Sequence, residues 1–168
     1  MKHLLMLILL ITILTPATAQ KTIIRSGTSF IGNSENPVVI VDLEDFSRKE
    51  IEKKWISYLK KNKGKVSEDD DVIYHDNAMI GSISTDTLDM WSTVTESGKT
   101  IVVTLAINQN GVFLSNSSAM ERFLYDFAIE VKKERAEDEV EEATKQLKSI
   151  QKDKESLEKD NKKMADDI

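Results

Sequence analysis

The pattern of apolar and polar residues divides the chain into a mixed front part and a helical rear part. An unbroken apolar run at 38–41 is typical of a buried strand. After it, Ser47 and Glu50 have the spacing of a helix-capping box. Four residues then repeat at helical spacing on one face: Ile51, Trp55, Tyr58 and Leu59. The pattern predicts a helix over 47–63 that ends at Gly64.

Most of the remaining front part has the composition or alternation of strands. The predicted strands are 22–25, 29–31, 72–75, 79–83, 88–95, 100–107 and 112–114. Asn36-Pro37 is expected to break the chain before 38–41, and Asp76-Asn77 to form a turn. In 88–95 and 100–107 the apolar residues alternate, so each strand is expected to bury one face. Short turns join most of these strands, which favours an antiparallel sheet.

The rear part predicts one long helix, because no Gly or Pro follows Gly111. Ser118 and Glu121 have capping-box spacing, so the helix is expected over 118–168. At about 1.5 Å per residue it would be roughly 75 Å long, and part of it would project from a small domain. A broad apolar stripe in its first part is expected to dock on the sheet: Met120, Phe123, Leu124, Phe127, Ala128 and Val131.

A second apolar pattern begins after the highly charged segment 132–139. Nine residues occupy successive a and d sites of a heptad repeat, and we call them the seam: Val140, Ala143, Leu147, Ile150, Lys154, Leu157, Asn161, Met164 and Ile168. Seven of the nine are apolar, which favours a coiled coil. Lys154 and Asn161 at a sites favour a two-stranded parallel pair over larger assemblies.

The seam is predicted to point away from the domain. On a helical wheel, the mean direction of its first three residues lies roughly 160° from that of the docking stripe. A second copy of the chain, giving a homodimer, or a helical protein partner is therefore expected to cover it. The alternative is a solitary helix that is stabilised by pairs such as Glu141 and Lys145.

The first nineteen residues have the layout of a secretory signal peptide. Lys2 precedes an apolar run at 4–14, and Ala17-Thr18-Ala19 provides small residues for cleavage. We therefore expect an exported protein, periplasmic or secreted. No later apolar run approaches the ~20 residues of a membrane-spanning helix, so no transmembrane segment is expected after cleavage. The chain contains no cysteine, so core packing must stabilise it without disulfides.

The net charge and the residues that could bind ions limit the functions that the sequence favours. The net charge is −6 and neither part of the chain is basic, so a nucleic-acid partner is not expected. An acidic run at 68–71 lacks the spacing of a calcium-binding loop. It is expected to be a solvated turn that faces the lysine-rich end of helix 47–63, and divalent-ion binding there stays open. His75 is expected on the surface or on an edge strand.

No catalytic, cofactor or metal site is predicted. Met79, Met90 and Trp91 could line an apolar pocket, although residues of these types at strand spacing are more often plain core.

Together these patterns predict an α+β fold, an antiparallel sheet with helix 47–63 and the first half of the long helix on one face. The alternative is a curved sheet that wraps the C-terminal helix. The predicted divisions are a signal peptide at 1–19, a globular domain at 20–116, a docking helix at 117–136 and a projecting coiled coil at 137–168.

The function expected is that of a non-catalytic protein of the cell envelope, not an enzyme. It would self-associate or scaffold a partner through its C-terminal coiled coil. The alternative is a carrier that holds a lipid or another apolar ligand in a pocket between sheet and helix.

Overall fold

The computed structural model describes residues 22–31, 34–115 and 117–166. The predicted signal peptide at 1–19 lies outside the described residues. The elements in chain order are β1 (Ile24–Ile31), β2 (Ser34–Glu44), α1 (Arg48–Leu59), β3 (Lys63–Asp69), β4 (Val72–Met79), β5 (Leu88–Ser97), β6 (Thr100–Gln109), β7 (Val112–Phe113) and α2 (Ser118–Asp166). One antiparallel sheet and two helices confirm the predicted α+β class.

The strand order is β1-β2-β6-β5-β4-β3, with β7 paired to the end of β6. Helix α1 carries the chain from β2 to the far edge, and β3 to β6 return strand by strand until β6 pairs with β2. In this register Val103 lies between Val41 on one side and Val94 on the other. The apolar alternation of neighbouring strands therefore falls on one face of the sheet.

Both helices pack on that face. The six residues of the predicted docking stripe on α2 are all buried, together with Ile51, Trp55 and Leu59 of α1. The sheet contributes a matching set of buried residues: Val39, Val41, Leu43, Leu88, Met90, Val94, Ile101, Val103, Leu105 and Ile107. Helix α2 lies against β1 and β2, and α1 lies against β5. This is the first of the two arrangements that the sequence favours.

Helix α1 begins where predicted and ends four residues early. The Ser47 hydroxyl accepts a hydrogen bond from the Glu50 amide at 3.3 Å, as in a capping box. The helix ends at Leu59 instead of 63, and Gly64 lies inside β3, at a bulge opposite β4. Gly64 has φ 110°, and a Cβ there would lie 2.4 Å from the Asp76 carbonyl oxygen. Glycine is therefore required at this bulge and does not end the helix.

The sequence pattern missed β3 entirely. Its residues, KGKVSED, include one apolar side chain, the partly buried Val66. The strand is nevertheless formed, because it pairs with β4 along most of its length. It lies at the sheet edge, where polar side chains discourage pairing with other molecules. Such a strand carries almost no alternation for a sequence pattern to detect.

Three further predictions about the strands are wrong. The predicted strands 22–25 and 29–31 are replaced by a single strand, β1, which begins at Ile24 and continues through Gly27. Pro37 does not break the chain, because it lies inside β2 opposite Thr28. Its missing N–H is tolerated since β6 pairs with β2 only from Val39 onward, so Pro37 has a free side.

The predicted strand 79–83 is also wrong. Strand β4 passes through Asp76-Asn77 with a bulge, where Asn77 has φ 54°, and ends at Met79. The chain then turns, and the Ile80 carbonyl accepts hydrogen bonds from the amides of Ile83 and Ser84.

Candidate interaction surface

The N-cap of the long helix α2 lies one residue before Ser118, the predicted capping residue. The Ser117 hydroxyl accepts a hydrogen bond from the Met120 amide at 3.3 Å, so Ser117 is the N-cap and Ser118 is the first helical residue. The Glu121 carboxylate accepts from the Ser26 hydroxyl at 2.9 Å, which fastens the first turn to β1. From here the helix runs for 49 residues.

An aromatic cluster holds the first part of α2 against α1. The Phe127 ring lies edge-on to Trp55 at 4.7 Å and tilted against Tyr58 at 5.3 Å. Trp55 donates its indole N–H to the buried Ser92 hydroxyl at 2.8 Å, so this core tryptophan has its polar group satisfied. The Tyr58 hydroxyl donates to the Phe123 carbonyl at 3.2 Å. Burial, aided by neighbouring carboxylates, raises the pKa of Tyr58 to about 12 and keeps it a donor.

A set of polar contacts fixes the direction in which α2 leaves the domain. Lys54 of α1 pairs with Glu134 at 2.5 Å, and this hydrogen bond raises the pKa of Lys54. The Arg135 guanidinium stacks over the Phe46 ring at 4.8 Å and donates to the Asp45 carbonyl. We call these five residues the exit clamp. Two of them, Glu134 and Arg135, lie in the charged segment 132–139, and the other three contact these two. The sequence of this segment predicts only a solvated surface.

Beyond the exit clamp the helix has no packing partner within the described chain. Every residue at 136–165 is exposed. At about 1.5 Å per residue this segment is roughly 45 Å long. The large apolar seam residues are each more than half exposed: Val140 66%, Leu147 56%, Ile150 64%, Leu157 63% and Met164 59%. Ala143, Lys154 and Asn161 are exposed as well, and Ile168 lies outside the described residues.

Met79, Met90 and Trp91 do not lie together in the structure. Met90 is buried under the helices, and Met79 is 47% exposed at the end of β4. Trp91 lies on the opposite face of the sheet, against Tyr74 and Phe113. These residues therefore do not line a common pocket, and of the plain core positions favoured for them, Met90 is buried and Met79 is not.

Core side chains pack together between the sheet and the helices in the described chain. An open groove of about 470 Å³ lies between α1 and β3. Charged side chains dominate its lining, which consists of Lys49, Glu52, Lys53, Ile56, Ser57, Lys60 and Glu68. This polar groove has little in common with the mostly apolar pockets that hold small ligands.

The acidic turn lies at a different end of α1 from the one predicted. Asp71 accepts a hydrogen bond from Arg48 at 2.5 Å, at the first residue of the helix and away from its lysine-rich end. The reason is that the unpredicted strand β3 carries the chain back along α1 before the turn. Within the described residues, no group of three or more His, Asp or Glu side chains is arranged to hold a metal ion.

His75 is fully buried, which corrects the prediction of a surface or edge position. Strand β4 is internal because β3 covers it. The Nε2 atom of His75 lies 3.0 Å from the Lys63 carbonyl oxygen. Since a carbonyl can only accept, Nε2 carries the proton and Nδ1 is left buried without a partner in the described structure. Burial lowers the pKa of His75.

No protein-family model matches the chain, and no curated protein or solved structure matches it either. Neither described helix is long and apolar enough to cross a membrane. Among the described residues, the seam on α2 combines exposed apolar side chains with heptad spacing.

Proposed function

We propose that this chain is a non-catalytic, exported protein of the cell envelope whose C-terminal seam pairs with a second helix in a two-stranded coiled coil. The observation that carries the proposal is the exposure of the seam. Five large apolar side chains at heptad spacing are more than half exposed on the part of α2 that packs against nothing within the described chain. Burying one such side chain fully is worth about 1.5–3 kcal/mol, so a facing helix would gain stability from each heptad.

The construction of α2 supports a docking role. Its first part is held by the aromatic cluster, and the exit clamp fixes the direction of the rest. A seam that starts five residues after Arg135 is thereby presented at a defined angle to the domain. Export rests on the signal-peptide pattern of residues 1–19. The domain would serve as the folded base from which the seam reaches its partner.

The alternative of a solitary helix has less support. The projecting segment has ion pairs between Glu141 and Lys145 at 2.6 Å and between Lys154 and Glu158 at 3.5 Å. Exposed helix pairs contribute only about 0.2–0.5 kcal/mol each. They also do not require apolar residues at heptad spacing, which pairing with a second helix does require.

Site-specific photocrosslinking in the host cells tests the proposal. A photoreactive phenylalanine analogue is placed at Leu147 or Leu157, both in the seam, and at Ser149 or Ser156, both on the outer side of the same turns. We expect one discrete protein adduct from both seam positions and little or none from the serine positions. Equal adducts from the two faces, or none from the seam while the chain is intact and exported, would refute the proposal.

A further inference from the structure

The residues that flank the seam carry charge of one sign. In a coiled coil the e and g sites border the a and d residues and face the partner helix. Between Glu139 and Ala165 the e and g residues are Glu139, Thr144, Gln146, Gln151, Asp153, Glu158, Asp160 and Ala165. Four are acidic, four are uncharged and none is basic. All of them are exposed.

The lysines of the same segment lie on other faces. Six of them occupy the outer b, c and f sites: Lys145, Lys148, Lys152, Lys159, Lys162 and Lys163. The seventh, Lys154, is at an a site and pairs with Glu158 of its own helix at 3.5 Å. The charged residues on the flanks of the seam are therefore all acidic, whereas the outer face carries the six lysines together with Glu141, Glu142 and Glu155. A solitary helix does not require flanks without lysine, because its own ion pairs form on any face.

A second copy of the chain fits these flanks poorly. In a parallel pair the g site of one helix faces the following e site of the other, so Asp153 would face Glu158 on both sides of the dimer. Lys154 would also lie opposite Lys154, although Asn161 would meet Asn161 favourably. In an antiparallel pair, g sites face g sites and e sites face e sites, which again brings acidic residues together. Like charges placed across an interface weaken it and suppress the wrong partner.

We propose that the seam binds a helix of a different protein, with apolar a and d residues and with Lys or Arg at its e and g sites. This inference rests on the proposed function and names the chemistry of the partner. The acidic flanks would attract the basic flanks and accelerate the encounter. A polar residue opposite Asn161 and an acidic one opposite Lys154 would set the register.

Two synthetic peptides test the charge of the partner. Both have four heptads with the same apolar residues, an Asn opposite Asn161 and a Glu opposite Lys154, and they differ only in having Lys or Glu at every e and g site. Binding to the full mature chain is measured by fluorescence anisotropy, and self-association by sedimentation. We expect a mainly monomeric chain that binds the basic peptide at least roughly tenfold more tightly than the acidic peptide. This preference should shrink between about 0.05 M and about 0.5 M NaCl.

A charge-reversed variant tests whether the flanks cause the preference. Asp153→Lys, Glu158→Lys and Asp160→Lys together should reverse the order of the two peptides. The matched control makes the same change in charge on the outer face, with Glu141→Lys, Glu142→Lys and Glu155→Lys, and should keep the original order. Circular dichroism establishes that both variants retain the helical content of the parent chain.

The possible results distinguish a basic partner helix from coiled-coil pairing in general. If the chain dimerises through the seam more tightly than it binds the basic peptide, or binds both peptides equally, the basic partner is excluded and coiled-coil pairing stands. If the chain stays monomeric and binds neither peptide, pairing through the seam fails as well. A reversal caused equally by the outer-face control would also overturn the inference, because net charge would then explain the preference.

Discussion

Replacing Phe127 by Ala tests whether the first half of α2 is part of the folded core. The ring is 1% exposed and contacts both Trp55, at 4.7 Å, and Tyr58, at 5.3 Å. Truncating a buried Phe to Ala typically costs about 3–5 kcal/mol. Each aromatic pair adds about 0.5–1.5 kcal/mol beyond the buried area, which places this site in the upper part of the range. A domain with a stability of about 5–15 kcal/mol would lose much of it.

The assay is urea unfolding followed by tryptophan fluorescence, because the buried Trp55 adjoins the deleted ring. Leu147→Ala is the matched variant on the same helix, where the side chain is 56% exposed. At protein concentrations below those of any association, it should change the free energy of unfolding by less than about 0.5 kcal/mol. The reasoning is refuted if Leu147→Ala destabilises as much as Phe127→Ala, or if Phe127→Ala costs less than about 1 kcal/mol.

Two further predictions concern the sheet. Gly64→Ala should destabilise the domain by about 1–3 kcal/mol in urea unfolding, because φ is 110° and backbone atoms obstruct a Cβ. Gly81→Ala, whose Cβ would meet nothing within 4 Å, is the control, and equal losses would contradict this reasoning. Burial lowers the pKa of His75, so the imidazole is protonated at a higher pH in the unfolded chain than in the folded one. The free energy of unfolding should therefore fall as pH drops below about 6.5. His75→Gln should flatten the decline in unfolding midpoint between about pH 7 and pH 5.5, and an unchanged slope would show that His75 is not its cause.

Much of the fold could be predicted because several elements have a strong internal period. The docking stripe from Met120 to Val131 repeats at helical spacing, and all six of its residues are buried as predicted. The alternation in β5 and β6 likewise assigns Met90, Val94 and Val103 to the core face. In these segments the spacing of the apolar residues identifies the buried face, so the period predicts both the type of element and its orientation.

The failures occur where an element depends on a neighbour that is distant in sequence. Strand β3 is polar because it lies at an edge, and its existence depends on pairing with β4. The wrong prediction for His75 follows from the same omission. Without β3, β4 would be an edge strand that exposes His75, whereas pairing with β3 makes β4 internal and buries it. The prediction for Pro37 is wrong for a related reason, because the free side of this residue depends on where β6 stops pairing with β2.

The candidate site shows the same division between local and distant information. The seam could be predicted because its period lies within one segment, whereas the exit clamp could not, since Arg135 contacts Phe46 and Asp45 some ninety residues earlier.

The exit clamp affects how the seam would meet a partner. A coiled coil on a flexible hinge could meet a partner at any angle. A helix that continues without a break through the exit clamp presents the seam in one direction from the domain. The domain would then contribute orientation to the complex, and a partner helix would be held at a fixed angle to the sheet.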